Sequence, residues 1–383
     1  MPKETSDKSN SDRDRSGDAN LRSARVEIFL GTGGVGKTTL AAAKGLSYAL
    51  SGKKTLVMTI DPSVRLARAL NVPDDLSHHP VPSLSPNLFI ATVPHKKVFD
   101  DFVLKASGNS ERAQKLLKNK LYQQLTSDLA GSQDFSSLQH LYSAYTKGGF
   151  DIIILDTPPA QHVVEFLDSP KKLGALFEKA IFQWLAQVRK PKVGFISRMV
   201  EMGTKQALKV VEMLTGSEFV QELLDFFASI EDWRDRLQAR VNEIQRLLQS
   251  ADTEFCVVTG FDSTKLAEAK DLAAHLASNQ FRLRYIYMNR AIPFWWPEVN
   301  GPHDLKGEAS QLFDQFKKFY DDRQKRDLKF SRHFGENVKV IEIPECHPNQ
   351  DSLAELRELA AILTSKPSAK NEANDKDEVA RGS

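Results

Sequence analysis

The chain has 383 residues, of which 41% are apolar and 27% are charged, so it can bury a sizeable core and is not disordered throughout. Its 52 Lys and Arg against 50 Asp and Glu residues leave a formal charge of +2, which gives no electrostatic case for nucleic acid or an anionic membrane. The two cysteines form no CxxC pair, no apolar run reaches the roughly 18 residues of a spanning helix, and the polar start is not a secretory signal. These features predict a cytoplasmic protein without a nucleic-acid partner.

Composition divides the chain into three parts. Residues 1–22 and 365–383 are polar, and we expect both to be disordered tails around one domain at 23–364. Within the domain, β-branched runs alternate with helical stretches such as Thr38–Leu50 and Ser263–Ala277. This alternation predicts an α/β fold, a mostly parallel sheet covered by helices on both faces. The runs that predict strands are Val26–Leu30, Thr55–Ile60, Leu88–Val93, Ile152–Leu155, Phe255–Thr259, Tyr285–Met288 and Val338–Ile343.

Two gaps between predicted strands, about 95–149 and 161–253, are too long for a simple crossover and have helical character. In the second gap, apolar residues recur at three- and four-residue steps, which is typical of an amphipathic helix. These residues are Ile230, Trp233, Leu237, Val241, Ile244 and Leu248. We expect the two inserts to pack together as a helical subdomain above one edge of the sheet.

The segment between the first strand and the first helix fits the pattern G-x-x-x-x-G-K-[ST]. It reads Gly31, Thr32, Gly33, Gly34, Val35, Gly36, Lys37 and Thr38, and Thr39 follows it as a further predicted binding residue. In such a loop, backbone N–H groups point at phosphate oxygens and the helix start adds the positive end of its dipole. Lys37 is predicted to contact the β- and γ-phosphates, and the Thr38 hydroxyl to ligate Mg²⁺.

The same glycines also satisfy G-x-G-x-x-G, and Asp61 follows the second strand, as in a Rossmann dinucleotide fingerprint. A Rossmann turn does not need the Gly-Lys-Thr-Thr that is present here. The sequence therefore favours a P-loop that binds ATP, with an oxidoreductase as the weaker alternative.

Two acidic residues end predicted strands near this loop. Asp61, in the segment TIDPS, is placed to orient or deprotonate water at the γ-phosphate, unless it is simply a helix N-cap. Asp156 ends an apolar run, as in a Walker B segment whose carboxylate holds Mg²⁺ directly or through water; the alternative is a strand-end cap. The following Thr157-Pro158-Pro159 predicts a non-helical loop that senses the γ-phosphate.

Over about residues 25–363, the chain resembles the arsenical pump-driving ATPase family, which also contains the tail-anchored-protein targeting ATPases. The motifs that carry the resemblance are GTGGVGKTT, TIDPS, DTPPAQHVVEFLDSP, VVTGFD, YMNR and IPECHP. The resemblance implies a homodimer that binds ATP and Mg²⁺ and opens or closes with nucleotide state. It also implies that Asp61 belongs to switch I, that residues 156–161 form switch II, and that Asn289 and the Pro344–His347 loop contact adenine.

Two departures from the family pattern affect the prediction. The lysine that usually follows the first P-loop glycine is Thr32 here, and our hypothesis is that Arg65 or Arg290 supplies the missing charge. Arsenite binding needs clustered soft thiolates, and the chain offers only Cys256 and Cys346. The zinc-bridging CxxC of the targeting factors is also absent, so neither arsenite nor a zinc-clamped dimer is expected.

The partner remains open at this stage. The apolar segment 173–185 and nearby methionines predict either a groove for a hydrophobic helix or the core of the insert itself. Alternatives are the energy-coupling subunit of an anion transporter, with a membrane-protein partner, and a nucleotide-gated chaperone whose hydrolysis is incidental. Leu312, Phe313, Phe316 and Tyr320 recur at helical spacing, which favours an amphipathic helix over a nucleic-acid patch.

Overall fold

The structure, a computed structural model, describes ten parts of the chain. These are residues 24–60, 77–108, 110–119, 122–123, 130–158, 163–176, 233–292, 307–334, 337–345 and 352–364. The predictions for the two tails, for Asp61 and Arg65, and for most of the apolar segment 173–185 lie outside these residues.

The described strands form one eight-stranded sheet in the order β3-β4-β2-β5-β1-β6-β7-β8. All neighbouring strands are parallel except the antiparallel pair β3–β4. The strands are β1 (Arg25–Gly31), β2 (Thr55–Thr59), β3 (His79–Pro80), β4 (Leu88–Thr92), β5 (Ile152–Asp156), β6 (Thr253–Thr259), β7 (Leu283–Ala291) and β8 (Lys339–Pro344). The predicted parallel sheet is confirmed, and the two-residue β3, which is too short to leave a sequence pattern, is the strand that the prediction lacks.

Helices cover both faces of this sheet. They are α1 (Lys37–Leu50), α2 (His95–Ala106), α3 (Glu111–Leu117), α4 (Ala130–Lys147), α5 (Val163–Leu176), α6 (Arg234–Gln249), α7 (Ser263–Ser278), α8 (Glu308–Ser331) and α9 (Ser352–Thr364). Alternate residues of a strand point to opposite faces, and Ile153 and Leu155 accordingly join a different apolar cluster from Ile152 and Ile154. The first cluster also contains residues of α2, α4, α5, α6 and α7, and the second contains residues of α1 and α9.

Both predicted inserts are helical where the structure describes them. The first supplies α2, α3 and α4, and the second supplies α5 and α6. The predicted apolar seam is buried from Trp233, which precedes α6, to Leu248, and its first member, Ile230, lies outside the described residues. Each fully buried large side chain of this kind contributes about 1.5–3 kcal/mol. Helices of both inserts contact one another and share the apolar cluster of one sheet face, and the expected position above one edge of the sheet stays a prediction.

The predicted amphipathic helix near residue 320 is α8. Phe330 near its end is buried, whereas Leu312 and Phe316 in its first half are 55% and 49% exposed. Its apolar spacing therefore does not mark a buried face along its whole length. Within the described residues, no helix combines the length and apolar character that crossing a membrane requires.

Candidate active site

The loop between β1 and α1 has the backbone that a phosphate-binding loop requires. Gly34 and Gly36 have φ angles of 74° and 83°, in the left-handed region that glycine adopts without strain. A Cβ atom at Gly36 would lie 2.5 Å from Asn289 Nδ2, so contact also excludes a larger residue there. Among the described residues, α1 has no side-chain cap and no acidic residue in its first turn. Its first N–H groups are therefore left for an anion.

Lys37 and Asp156 form a buried ion pair beside this loop. Lys37 Nζ donates to Asp156 Oδ1 at 2.6 Å and also to the Thr157 carbonyl oxygen. Both side chains of the pair are at least nine-tenths buried. Asp156 Oδ2 accepts from Thr38 Oγ1 at 2.7 Å and from Thr59 Oγ1 at 3.3 Å. One carboxylate thus gathers the lysine and two hydroxyl groups, from α1 and β2.

Strand register explains why these groups meet. β5 lies between β1 and β2, and Asp156 is in register with Phe29 of β1 and with Thr59 of β2. The last residue of β5 therefore lies at the edge where β1 turns into the phosphate loop. The Thr157 hydroxyl then donates to the Phe29 carbonyl oxygen at 2.8 Å, which holds the start of the following loop against β1.

The atoms present here suit Mg²⁺ and a polyphosphate. Thr38 and Asp156 bring together hydroxyl and carboxylate oxygens, the hard ligands that Mg²⁺ prefers. The Thr32 hydroxyl is buried and has no hydrogen-bond partner among the described residues, as expected of a group that a bound oxygen would satisfy. Cβ atoms built on Gly33 or Gly34 would meet nothing within 4 Å, so the loop has room on its open side.

The predicted adenine residues lie at the same edge of the sheet. Asn289 Nδ2 donates to the Val35 carbonyl oxygen at 2.7 Å, which ties the end of β7 to the phosphate loop. Pro344 ends β8 and pairs with Ala291 of β7. Asn289 uses one side-chain N–H to bind the loop, and its amide oxygen does not bind the loop in the described contacts. The contact of Asn289 with adenine stays a prediction.

Other predicted residues are placed less completely. Thr39 is half-buried in the first turn of α1, and Arg290 has an exposed side chain next to Asn289. Cys256 is buried in β6, and burial raises the pKa of its thiol well above the ordinary value. Asp61, Arg65 and Cys346 lie outside the described residues.

Sequence reasoning missed a second buried ionic cluster at the amino end of β1. Glu27 is fully buried, and its Oε1 accepts from Tyr48 Oη at 2.5 Å and lies 3.1 Å from Arg25 Nη2. Arg25 also pairs with Glu254 of β6, which is in register with Glu27. Burial raises the pKa of Glu27. The sequence signal for this cluster was a glutamate within each of two otherwise apolar strands, Glu27 in β1 and Glu254 in β6.

A parallel sheet with a glycine loop, a lysine and a strand-end carboxylate at its carboxyl edge defines a P-loop ATPase, and the comparisons with known proteins agree. Residues 24–333 match the anion-transporting ATPase family, and the chain belongs to that family. It is therefore an ATPase, and the Rossmann oxidoreductase alternative is set aside.

Curated relatives extend the match across most of the chain. A putative arsenical pump-driving ATPase 1 of Aquifex aeolicus is 24% identical over 88% of this chain and 78% of its own length. A second Aquifex aeolicus protein, putative arsenical pump-driving ATPase 2, is 22% identical over 88% of this chain and 99% of its own. ATPase ASNA1 homolog 2 of Paramecium tetraurelia is 25% identical over 69% of this chain and 75% of its own.

Proposed function

We propose that this protein is a Mg²⁺-dependent ATPase whose nucleotide state controls a dimer and a helical region that binds a client or partner. The observation that carries the proposal is the contact of Lys37 and Thr38 with one carboxylate, Asp156, beside the phosphate loop. In this role, Lys37 and the loop amides hold the phosphates, and Thr38 and Asp156 hold the metal.

The chemistry assigned to the chain is in-line hydrolysis, in which water attacks the γ-phosphorus and the bond to the ADP oxygen breaks. Mg²⁺, when bound, neutralises charge on the phosphate oxygens. Lys37 stabilises negative charge on the transferred group, and Asp61 orients the attacking water. Thr32 offers a hydroxyl where a lysine is usual in the family, and Arg65 and Arg290 remain our candidates for the missing charge.

A feature of Lys37 supports control by nucleotide. An ammonium group has three donors, and two of them bind Asp156 and the Thr157 carbonyl oxygen. Phosphate oxygens arriving at Lys37 compete with these two acceptors. Because Asp156 and Thr157 both belong to the predicted switch II, residues 156–161, the competition changes what holds that segment, which is how a γ-phosphate sensor works.

The partner is proposed from the relatives' names and the insert. The resemblance to the tail-anchored-protein targeting ATPases and the apolar segment 173–185 favour a hydrophobic-helix client, and the name of the arsenical pump-driving relatives favours an energy-coupling role beside a membrane protein. Arsenite itself is the weaker cargo, since Cys256 is buried with a raised pKa and soft-metal binding needs accessible thiolates. We therefore place the client-binding ATPase first and the anion-transport subunit second, ahead of a chaperone with incidental hydrolysis.

The test compares two aspartates at opposite ends of one strand. Asp151 immediately precedes β5 and accepts from the Lys54 backbone N–H at 2.8 Å, whereas Asp156 ends the strand. Asp156→Asn is expected to abolish Mg²⁺-stimulated phosphate release from ATP, and Asp151→Asn to retain it. Equal hydrolysis by both variants would reject the assigned metal site.

Two further measurements test the dimer and the client. Light scattering with ADP and with ATP would measure the dimer, and binding of an apolar helical peptide in each nucleotide state would measure the client site.

A further inference from the structure

The turn at the end of β7 has a backbone that its own residue disfavours. Arg290 has a φ of 54°, and Gln280 is the one other non-glycine residue with positive φ in the described ranges. This left-handed conformation costs free energy for a residue with a Cβ atom. The pairing of β7 with β8 shifts register at the same place, between Met288 and Ala291. Since the Arg290 side chain is exposed, its own packing does not hold the turn.

Arg323 of α8 holds this turn from outside the sheet. Its Nη2 donates to the Arg290 carbonyl oxygen. Its guanidinium carbon lies 3.8 Å from the centre of the Phe261 ring, a cation–π contact with a buried residue that follows β6. Arg323 therefore joins the carboxyl ends of β6 and β7, and the stacked ring fixes the guanidinium that makes the hydrogen bond.

The residue before Arg290 contacts the phosphate loop. Asn289 donates to the Val35 carbonyl oxygen and lies against Gly36. The Arg290 carbonyl lies in the peptide unit between Arg290 and Ala291, and only the φ and ψ of Arg290 separate that unit from the one that Asn289 begins, so fixing the carbonyl restricts the orientation of Asn289. A continuous path of contacts thus runs from Arg323 through the Arg290 backbone and Asn289 to the loop that precedes Lys37.

We propose that Arg323 is a positioning residue for nucleotide binding, which keeps Asn289 on the phosphate loop by fixing the Arg290 carbonyl group. The inference rests on the proposed nucleotide function of that loop. Arg323 itself touches neither the loop nor the Lys37–Asp156 pair in the described contacts, so its effect is on the affinity for nucleotide and not on the hydrolytic step.

The test compares Arg323→Ala with Arg326→Ala in the full chain. Arg326 has the same charge, lies on the same helix, and is exposed, with its Nε bound to the Asp322 carbonyl oxygen of its own helix. Arg323→Ala is expected to weaken ADP binding and raise KM for ATP by about tenfold, with kcat within about twofold, as coupling energies of this kind allow. Arg326→Ala is expected to match the wild type in all three. Arg323→Met, which keeps the stem and removes the donor, covers the case in which the alanine variant does not fold, with the same expected loss.

A double-mutant cycle separates this path from general loosening of the fold. Asn289→Ala alone is expected to weaken ADP binding to a similar extent, and adding Arg323→Ala to it should cost nothing further. Wild-type affinity in Arg323→Ala or Arg323→Met, or tenfold losses that multiply in the double variant, would overturn the proposal. A wild-type protein that binds neither ADP nor ATP would instead reject the proposed function.

Discussion

Each end of β1 carries a buried ionic cluster, and the two clusters are built differently. At the amino end, Arg25 bridges the glutamates of two neighbouring strands, Glu27 and Glu254, and Tyr48 of α1 donates to Glu27. At the carboxyl end, Lys37 pairs with a single carboxylate that hydroxyl groups also bind. The first cluster lies between packed strands and a helix, and the second lies at a loop of glycines.

The difference teaches which buried charges are structural and which are kept for a ligand. In a buried cluster between packed elements no ligand can replace a lost member, so removing one costs stability. A pair at the edge of a sheet, next to open helix N–H groups, can exchange partners when phosphate or a metal arrives. A substitution at the amino end of β1 should therefore lower the free energy of unfolding and leave nucleotide binding nearly unchanged. A substitution at the carboxyl end should mainly reduce nucleotide binding or hydrolysis.

The largest effect is expected at the amino end. Glu27→Ala should lower the free energy of unfolding by about 1.5–3 kcal/mol, because the Tyr48 hydroxyl loses its buried acceptor while Arg25 keeps Glu254. Affinity for ATP should stay within about twofold of the wild type. Denaturant unfolding measures the free energy, and nucleotide titration measures the affinity for ATP. Glu268→Ala, on the exposed side of α7, is the control. A stable Glu27→Ala protein with weak ATP binding would reverse the comparison.

The next effect belongs to the carboxyl end. Lys37→Ala should reduce ATP hydrolysis by about 100-fold or more, since one charge that stabilises a transition state is typically worth that much. Its unfolding free energy should fall by less than that of Glu27→Ala, because Asp156 keeps two hydroxyl donors. Phosphate release and denaturant unfolding are the measurements, and the exposed Lys53→Ala is the matched control. Hydrolysis at the wild-type rate would remove Lys37 from the site.

A third effect, on the pH dependence of the unfolding free energy, is expected from His140, which lies near the residues that precede β3 and β5. Burial lowers the pKa of His140 to about 4, and the His78 ring lies between His140 and Phe150. A depressed histidine pKa means that the unfolded chain gains the proton first, so this stability is complete above about pH 6.5 and is lost as pH falls towards 4. Between pH 7 and pH 5 the loss attributable to His140 is about 2 kcal/mol.

Urea unfolding at pH 7 and pH 5 measures this effect in the wild type and in His140→Phe. The phenylalanine variant should lose less stability between the two values, while both proteins lose the share that comes from carboxylates. Equal losses in the two proteins would contradict a neutral buried His140.

The smallest effect is expected at Thr32. Thr32→Val keeps the shape and removes a buried hydroxyl that has no partner among the described residues, so the free protein should be as stable or slightly more stable. Affinity for ATP should fall by about 3–10-fold, the value of one hydrogen bond. Isothermal titration calorimetry with ATP measures this loss, and Thr32→Ser, which keeps the hydroxyl, is the control. If Thr32→Val binds ATP normally, the hydroxyl has no part in nucleotide binding.

Local patterns predicted much of the fold and the composition of the site. The run Val26–Leu30 lies within β1, because a strand buried on both faces reads as a continuous apolar segment. Lys37, Thr38 and Asp156 were found from short motifs, and the structure places them in contact, although their roles remain predictions.

Contacts made by distant segments were not predictable in this way. The Arg25–Glu254 pair joins residues 229 positions apart, and only the register of β1 with β6 brings them together. Thr59 contacts Asp156 for the same reason. Periodicity showed that the inserts are helical, but it carried no information about which part of the sheet their apolar stripes would cover.

α1 reaches both clusters, since it begins at Lys37 and places Tyr48 on Glu27 three turns later. A rigid helix anchored at its far end cannot slide along its axis when its first turn engages a phosphate. In this molecule α1 is therefore held at both ends, by Asp156 at Lys37 and by Glu27 at Tyr48.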